Sequence, residues 1–273
     1  MHTWRPLRLA LQPKILTFAI MSLVKAKKHL GQHFLTDENI ALKIAQTIQN
    51  QIFNNILEIG PGTGVLTKHL ITCYPDKKLK VLEIDTESVE YLNLNYPNLE
   101  VISGDFLKIE TQKIFSEDFM VIGNFPYNIS SQIVFKVIEN RAHIPVMAGM
   151  FQKEVAERIC EKPNTKAYGI ISVLTQAYFD CTYLFTVSEH VFNPPPKVKS
   201  GVLIMIKKNQ EPDCDMSKFT YLVKKSFNQR RKMLRKSLKS DFKTDVLQDD
   251  FFMQRPENLS VEDFVYLTKL SNQ

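Results

Sequence analysis

Short apolar runs alternate with amphipathic segments along most of this chain. The runs are rich in aliphatic and β-branched residues and end at glycine, proline or acidic residues, which predicts buried strands; they cover 55–59, 80–84, 99–106, 119–122, 145–151, 178–187 and 198–206. Between them, apolar residues recur at helical spacing, as in 36–48, 130–138, 152–160 and 168–177. This order predicts an α/β fold around a mostly parallel sheet.

The two ends differ in composition from the middle. Residues 1–24 contain basic but no acidic side chains, a pattern shared by organellar presequences and by extensions read from an upstream start codon. We interpret this stretch as a basic N-terminal extension that is disordered or not native. From residue 209, Pro212 and several acids mark a linker. We therefore predict a catalytic domain over 25–208 and a helical domain over 209–273.

The helical domain concentrates positive charge in residues 218–239, which contain no acid. Apolar residues interleave with the basic ones at helical spacing, so we expect a helical hairpin with one face on the core and one basic face. Such a cluster is typical of proteins that contact a phosphate backbone, although charge runs are often only solvated. The net charge of +6 is compatible with a polyanionic partner and does not require one.

Three strand ends carry residues suited to a nucleoside. Gly60, Gly62 and Gly64 follow the strand at 55–59 in a G-x-G-x-G loop, which allows close approach of the backbone to a ligand. Glu83 ends the next strand, where a carboxylate can accept both ribose hydroxyls, and Asp105 ends the third, where it can accept from an adenine amine. Each acid alone could be a helix cap. The loop and the two acids together favour a nucleoside pocket, and the G-x-G-x-G spacing, with Glu58 two positions ahead of the loop, favours S-adenosylmethionine over a dinucleotide.

The segment 121–128 ends an apolar strand in a rigid polar corner. Pro126 fixes its own φ and keeps Phe125 extended, so the Asn124 side chain and the neighbouring carbonyls form an arc of acceptors beside the Tyr127 ring. Acceptors and a ring suit the amine and the face of a nucleobase. The alternative is a simple turn after a strand.

Other features restrict the class of protein. The cysteines are widely separated and lack metal-site spacing, so we predict neither a zinc site nor a disulfide framework. No apolar run reaches transmembrane length. These observations favour a cytoplasmic protein without a catalytic metal.

Several short motifs occur in order along the chain: Gly-Gln-His-Phe-Leu at 31–35, Glu-Ile-Gly-Pro-Gly-Thr-Gly at 58–64, Gly-Asn-Phe-Pro-Tyr-Asn-Ile-Ser at 123–130, Phe-Gln-Lys-Glu-Val at 151–155, Phe-Asn-Pro-Pro-Pro-Lys-Val at 192–198 and Phe-Asn-Gln-Arg-Arg-Lys at 227–232. From about residue 25 to the end, the chain resembles the KsgA-type small-subunit ribosomal RNA adenine dimethyltransferases. The resemblance implies a Rossmann-like, seven-stranded methyltransferase domain with a small all-helical C-terminal domain. It also implies S-adenosylmethionine-dependent dimethylation of N6 on two adjacent adenosines in the 3′ hairpin of the 16S RNA.

Carried over by position, the resemblance implies a set of site residues. The cofactor would contact His33, Leu35, Gly60, Glu83, Asp105 and Asn124. The target amine would lie against Asn124, Phe125, Pro126 and Tyr127, with Asn124 Oδ1 and the Pro126 carbonyl as its acceptors. Phe192 would cover the flipped base, and RNA would contact Arg230, Arg231 and Lys232. The expected partner is small-subunit rRNA in a pre-30S-like particle, bound by a monomer. Phe125 and His33 replace the leucine and asparagine common in the family.

Other functions share parts of this pattern. A large-subunit adenine methyltransferase of the macrolide-resistance type has the same core, and differs in the proline loop and the Phe-Asn-Gln-Arg-Arg-Lys stretch. A non-catalytic RNA-binding assembly factor on the same fold is a second alternative, which the complete corner at 124–127 and the cofactor acids argue against. A small-molecule methyltransferase fits the basic segment worst.

Overall fold

A twisted sheet of seven strands organises the part of the chain that the computed structural model describes, residues 24–271. The predicted extension lies outside the described residues except for Val24. The strands are β1 (Phe34–Leu35), β2 (Asn55–Ile59), β3 (Lys78–Glu83), β4 (Glu100–Ser103), β5 (Met120–Asn124), β6 (Val146–Gln152), β7 (Phe179–Val187), β8 (Phe192–Asn193) and β9 (Ser200–Lys207). The large sheet has the order β4-β3-β2-β5-β6-β9-β7.

The pairing confirms a mostly parallel α/β sheet. Strands β4, β3, β2, β5 and β6 pair in parallel, and β9 runs antiparallel to both β6 and β7. The helices are α1 (Glu38–Ala45), α2 (Thr67–Cys73), α3 (Thr86–Asn95), α4 (Ser130–Glu139), α5 (Lys153–Cys160), α6 (Ile170–Gln176), α7 (Met216–Asn228), α8 (Leu234–Ser237) and α9 (Val261–Leu270). Short 3-10 turns cover Lys28–Leu30, Gln46–Ile48, Thr111–Lys113, Glu189–Val191, Val246–Gln248, Asp250–Met253 and Pro256–Asn258.

Both faces of the sheet are buried because successive side chains of each strand point to opposite sides. On β2, Ile56 belongs to one apolar cluster and Leu57 to the other. The Ile56 cluster includes residues of α1 and α2, and the Leu57 cluster includes residues of α4, α5 and α6. Burial on both faces explains why the strands appear in the sequence as continuous apolar runs.

The C-terminal region is helical, and its apolar side chains belong to the Leu57 cluster. Phe219 and Leu222 of α7 and Phe264 of α9 join the same core as Val173 of α6, and the Phe227 ring meets the Tyr168 ring edge-on at a centroid distance of 6.2 Å. The division at residue 209 stays a prediction, and the structure shows that the two parts share one apolar core.

The predicted helical hairpin over 218–239 is only half formed. Helix α7 is a full helix, capped by Asp215, whose side chain accepts from the amides of Ser217 and Lys218. The second arm is the single turn α8, preceded by an extended Met233. The Leu234 amide donates to the Gln254 carbonyl instead of to a preceding turn. A contact with a distant segment therefore replaces the helix that local spacing predicts.

A two-stranded sheet joins the N-terminal arm (residues 24–35) to the proline loop (residues 192–198). Strands β1 and β8 pair antiparallel, with Phe34 opposite Asn193 and Leu35 opposite Phe192. This pairing brings residues near 33 and near 193 together at the carboxyl edge of the large sheet, where the corner after β5 also lies.

Gly149 in β6 provides a test of the packing between β5 and β6. Its φ is +147°, and an added Cβ would lie 2.2 Å from the Gly123 carbonyl oxygen. We expect Gly149→Ala to reduce the free energy of unfolding by about 2–4 kcal/mol through backbone strain and overpacking. Gly104→Ala is the control, since an added Cβ there meets nothing within 4 Å. Equal denaturation midpoints for the two variants would contradict this packing.

Candidate active site

The carboxyl ends of β2, β3, β4 and β5 border a cleft that encloses about 940 Å³, including its open mouth. This is the edge at which open α/β sheets bind ligands. The N-terminal arm closes one side of the cleft, and the corner after β5 closes another. The predicted residues that line the cleft are His33, Leu35, Gly60, Glu83, Asp105, Asn124, Phe125, Pro126 and Tyr127.

A hydrogen bond joins the glycine loop to the Glu83 carboxylate. Gly62 has a φ of +56°, and its amide donates to Glu83 Oε2 at 3.0 Å. Glu83 Oε1 accepts from the amides of Ile84 and Asp85, each at 2.9 Å. Burial raises the pKa of Glu83, which is 3% exposed, and these backbone donors partly offset the rise. The carboxylate is therefore held rigidly, and Oε2 keeps one lone pair for a further donor.

Two further acids border the same cleft. Glu58 of β2 is fully buried and accepts from Thr67 Oγ1 at 2.7 Å. Burial, together with the nearby charge of Glu83, raises its pKa to about 8. Asp105 follows β4 and accepts from the Leu107 amide through Oδ1 at 2.9 Å, which fixes its side chain beside the cleft.

Asn124 is oriented by the N-terminal arm. Its side-chain nitrogen donates to the His33 carbonyl oxygen at 3.1 Å. A carbonyl only accepts, so the atom that faces His33 must be Nδ2 and the other side-chain atom must be Oδ1. Among the described residues, no donor bonds to Oδ1. The acceptor that a substrate amine requires is thus present at the cleft.

The rest of the corner is clamped by other elements. The Tyr127 hydroxyl hydrogen-bonds Ser200 Oγ at the start of β9, and its ring lies 5.5 Å from the His33 ring. The Pro126 carbonyl accepts from the Ile129 amide at 3.3 Å. Within residues 24–271, the Phe125 carbonyl has no such donor. The Phe125 side chain is 1% exposed and packs against the Phe151 ring at 4.8 Å, so it contributes mainly its backbone.

Four predicted residues lie outside the cleft: Phe192, Arg230, and Arg231 and Lys232, which line a groove in the C-terminal region. Phe192 is 5% exposed and belongs to the core cluster that contains Leu35. It therefore anchors the proline loop in this structure, and its contact with a base stays a prediction. Arg230 donates to Glu257 Oε2 at 2.7 Å and to the Thr165 carbonyl at 3.0 Å. This arginine links two segments of the protein instead of facing a free basic surface.

Sequence reasoning missed the partners of the arm. Lys27 pairs with Asp85 and Glu87. Gln32 donates to Asp85 Oδ2 at 3.2 Å. Ser200 was also missed. The only sequence signal was the acidic Asp85, two residues after Glu83, and this signal could not specify a partner 58 residues away.

The described residues contain neither a metal-binding group of side chains nor a membrane-spanning helix. No group of three or more His, Cys, Asp or Glu side chains in 24–271 is arranged to hold a metal ion. Over the same range, no helix is both long and apolar enough to cross a bilayer.

Glu58 gives the site a measurable dependence on pH. The unfolded chain releases the Glu58 proton near the ordinary pKa of 4.5, whereas the native state keeps it to about pH 8. Stability therefore falls as pH rises through this window, by about 1.4 kcal/mol per pH unit at most. We expect Glu58→Gln to flatten the pH dependence of unfolding in the cofactor-free protein, and exposed Glu139→Gln to leave it unchanged. Parallel profiles for wild type and Glu58→Gln would contradict the assignment.

Comparison with known proteins agrees with this geometry. Residues 23–271 match the family model of the ribosomal RNA adenine dimethylases. A protein of Flavobacterium johnsoniae named ribosomal RNA small subunit methyltransferase A is 57% identical over 256 residues, covering 91% of this chain and 97% of its own. The protein of the same name from Parabacteroides distasonis is 53% identical, covering 93% and 96%.

Solved structures show the same fold. A dimethyladenosine transferase from Plasmodium falciparum superposes with a TM-score of 0.74 at 28% identity, covering 86% of this chain and 96% of that one. The 23S rRNA methyltransferase ErmE gives a TM-score of 0.67 at 25% identity, covering 88% and 100%. With a family match over nearly the whole described chain, and with the strand-end acids and the corner at 124–127 in one cleft, this protein belongs to the ribosomal RNA adenine dimethylase family of S-adenosylmethionine-dependent methyltransferases.

Proposed function

We propose that this protein dimethylates N6 of two adjacent adenosines in the 3′-terminal hairpin of small-subunit rRNA. One observation carries the proposal. The acids that suit a nucleoside and the oriented Asn124 amide border the same cleft. A methyl donor and a target amine bound there would be adjacent, which is the main requirement for transfer between two substrates.

The residues of the cleft fit S-adenosylmethionine. Glu83 is a buried carboxylate with fixed orientation and a spare lone pair on Oε2, suited to a ribose hydroxyl. Asp105 is suited to the adenine amine, with Ile84 and Phe106 beside it as apolar walls. At Gly62 an added Cβ would lie 2.8 Å from the Phe34 ring, so the loop must stay free of side chains to keep this shape. When bound, the cofactor supplies a methyl group on a positively charged sulfur.

The corner after β5 acts on the nucleophile. An exocyclic adenine amine is weakly nucleophilic because its lone pair is delocalised into the ring. Asn124 Oδ1 can accept one of its hydrogens, and a main-chain carbonyl can accept the other. The sequence suggests the Pro126 carbonyl, but the Ile129 amide takes one of its two lone pairs, whereas the Phe125 carbonyl accepts no hydrogen bond within residues 24–271, so we assign this role to the Phe125 carbonyl. The two acceptors draw the nitrogen toward tetrahedral geometry, and catalysis is then positioning and electrostatics.

Dimethylation requires the same acceptors twice. After the first transfer the nitrogen keeps one hydrogen, so one acceptor loses its partner. Asn124 Nδ2 stays bonded to His33 throughout, because that bond does not involve the substrate. The Tyr127 ring, tilted by 31° against the His33 ring, offers a face on which the base can stack. The base must leave its own stack to reach it, at a cost of a few kcal/mol. We also propose that Phe192 covers the flipped base.

The RNA surface that we propose is a basic groove in the C-terminal region. Its lining residues are Gln229, Arg231, Lys232, Met233, Arg235, Lys236 and Arg255. Arg231, Lys232 and Lys236 are exposed side chains of this groove, so their positive charges are accessible to phosphate oxygens. Arg230 already donates from Nε to Glu257 and from Nη2 to the Thr165 carbonyl, so we give it a smaller part in RNA contact than Arg231 and Lys232. We assign contacts with the phosphate backbone of the RNA to Arg231, Lys232 and their neighbours in the groove.

The choice of small-subunit RNA rests on the relatives. The proteins named for the small subunit are 57% and 53% identical to this chain, whereas the 23S enzyme is 25% identical. We extend the proposal to a monomer that acts in the cytoplasm on a pre-30S-like particle. Methylating purified small and large subunits side by side distinguishes the two substrates.

Asn124 provides the most specific test of the corner. We expect Asn124→Ala to lower the rate of methylation by at least about 10²–10³-fold, because an acceptor for the reacting amine is lost. Asn124→Asp should also be strongly impaired, since it places an oxygen against the His33 carbonyl. RNA affinity should stay near wild type in both. Mass spectrometry of treated RNA measures the product, and wild-type amounts of dimethyladenosine would refute the assignment.

The basic groove is tested through the salt dependence of binding. Arg231→Glu combined with Lys232→Glu should weaken RNA binding and reduce the slope of log K against log salt by about 1.5, as expected for two lost phosphate contacts. The control is Lys113→Glu with Lys162→Glu, two exposed cations outside the groove. An unchanged slope in the groove variant, or an equal change in the control, would count against this surface.

A further inference from the structure

The N-terminal arm forms a strap across the cleft, which we define as residues 27–35. Its first part is a closed loop: the Lys27 amide donates to Gln32 Oε1 at 2.7 Å, and the Leu30 amide donates to the Lys27 carbonyl at 3.0 Å. Its last part pairs with the proline loop through β1 and β8. Between them, Gly31 passes close to Asn128, where an added Cβ would lie 2.6 Å from the Asn128 side-chain oxygen.

One buried carboxylate fastens the start of the strap. The Asp85 side chain is fully buried and receives donors on both oxygens: Lys27 Nζ on Oδ1 and Gln32 Nε2 on Oδ2. Ser88 Oγ also donates to Oδ2 at 3.1 Å. Burial alone would raise the pKa of Asp85, but these hydrogen bonds outweigh burial and hold the pKa below its usual value. Asp85, which lies between β3 and α3, is therefore an ionised anchor for the strap.

The other end of the strap holds the reaction corner. The His33 carbonyl accepts from Asn124 Nδ2 at 3.1 Å, and His33 Nδ1 donates to the Pro194 carbonyl at 2.7 Å. Asn124 has a planar amide, so whichever atom faces His33 decides which atom faces the substrate. If the strap moved away, the amide could rotate and direct Nδ2 at the target amine. Nδ2 only donates hydrogen bonds, so it could not accept a hydrogen from that amine.

We propose that Lys27 and Gln32 are positioning residues for methyl transfer: by clamping the strap on Asp85, they keep the His33 carbonyl against Asn124 and so keep Asn124 Oδ1 directed at the target amine. This inference rests on the function proposed above. Neither residue contacts the corner itself. Gln32 directly precedes His33 in the chain, so their effect passes through the peptide unit that joins these two residues.

Lys28 provides a matched control. It is the next residue after Lys27, is exposed, and carries the same charge. Among the described residues no ion pair involves Lys28. A loss of positive charge near the RNA would therefore affect Lys27→Met and Lys28→Met alike, whereas loss of the clamp would affect only the former.

The test compares Lys27→Met, Gln32→Leu, Lys27→Arg and Lys28→Met with wild type. We expect Lys27→Met and Gln32→Leu to lower kcat on small subunits by about tenfold or more, with KM for RNA within about twofold, because misplacement of a reacting group acts on the chemical step. Lys27→Arg should restore most of the rate, and Lys28→Met should match wild type.

A second readout is independent of the reaction. In cofactor-free protein, hydrogen exchange of the peptide covering 24–36 should be faster in Lys27→Met than in Lys28→Met. Equal kcat and equal exchange in both would overturn the proposal. Unchanged kcat with a higher KM for RNA would also overturn it and would assign Lys27 to a phosphate contact. If wild type itself fails to methylate, the proposed function fails, whatever the exchange data show.

Discussion

The parallel pairing of β4, β3, β2 and β5 is the constraint on which the rest of the structure depends. Because parallel strands all end at one edge, side chains far apart in sequence meet there without any direct attraction between them. Asp105, Glu83, Gly60 and Asn124 each follow or end one of these strands. Apolar clusters on both faces hold the strands in register. The positions of the polar groups are therefore fixed by hydrophobic packing behind them.

Buried polar groups at this edge are stabilised by partners that are fixed before any ligand binds. Glu83 is surrounded by main-chain amides, and Asp85 by side-chain donors from the strap. Asn124 and Tyr127 are held by His33 and Ser200. Such an arrangement limits the reorganisation required at the moment of reaction. It also makes the N-terminal arm part of the site, although the arm contributes no strand to the large sheet.

The sequence was informative where local pattern and strand order decide the outcome. Strands with apolar runs, the glycine loop, and the acids at strand ends could all be placed because each lies within a single βαβ unit. The sequence was uninformative where the position of a side chain or main-chain group depends on a partner far away in the chain. Arg230 meets Glu257, Lys27 meets Asp85, and Leu234 meets Gln254, and nothing in local spacing specifies these pairs. Phe192 shows the same limit, because burial against β1 follows from a long-range pairing. The resemblance to a family supplied the roles of residues, and the structure supplied what holds them.

The most direct measurement is to map methylated adenosines after the purified protein is incubated with unmethylated small subunits and labelled S-adenosylmethionine. The account predicts N6,N6-dimethylation of two adjacent adenosines in the 3′-terminal hairpin of the small-subunit RNA, and none in large subunits treated in parallel. Label confined to the large-subunit RNA, or an absence of dimethyladenosine from that hairpin, would contradict it.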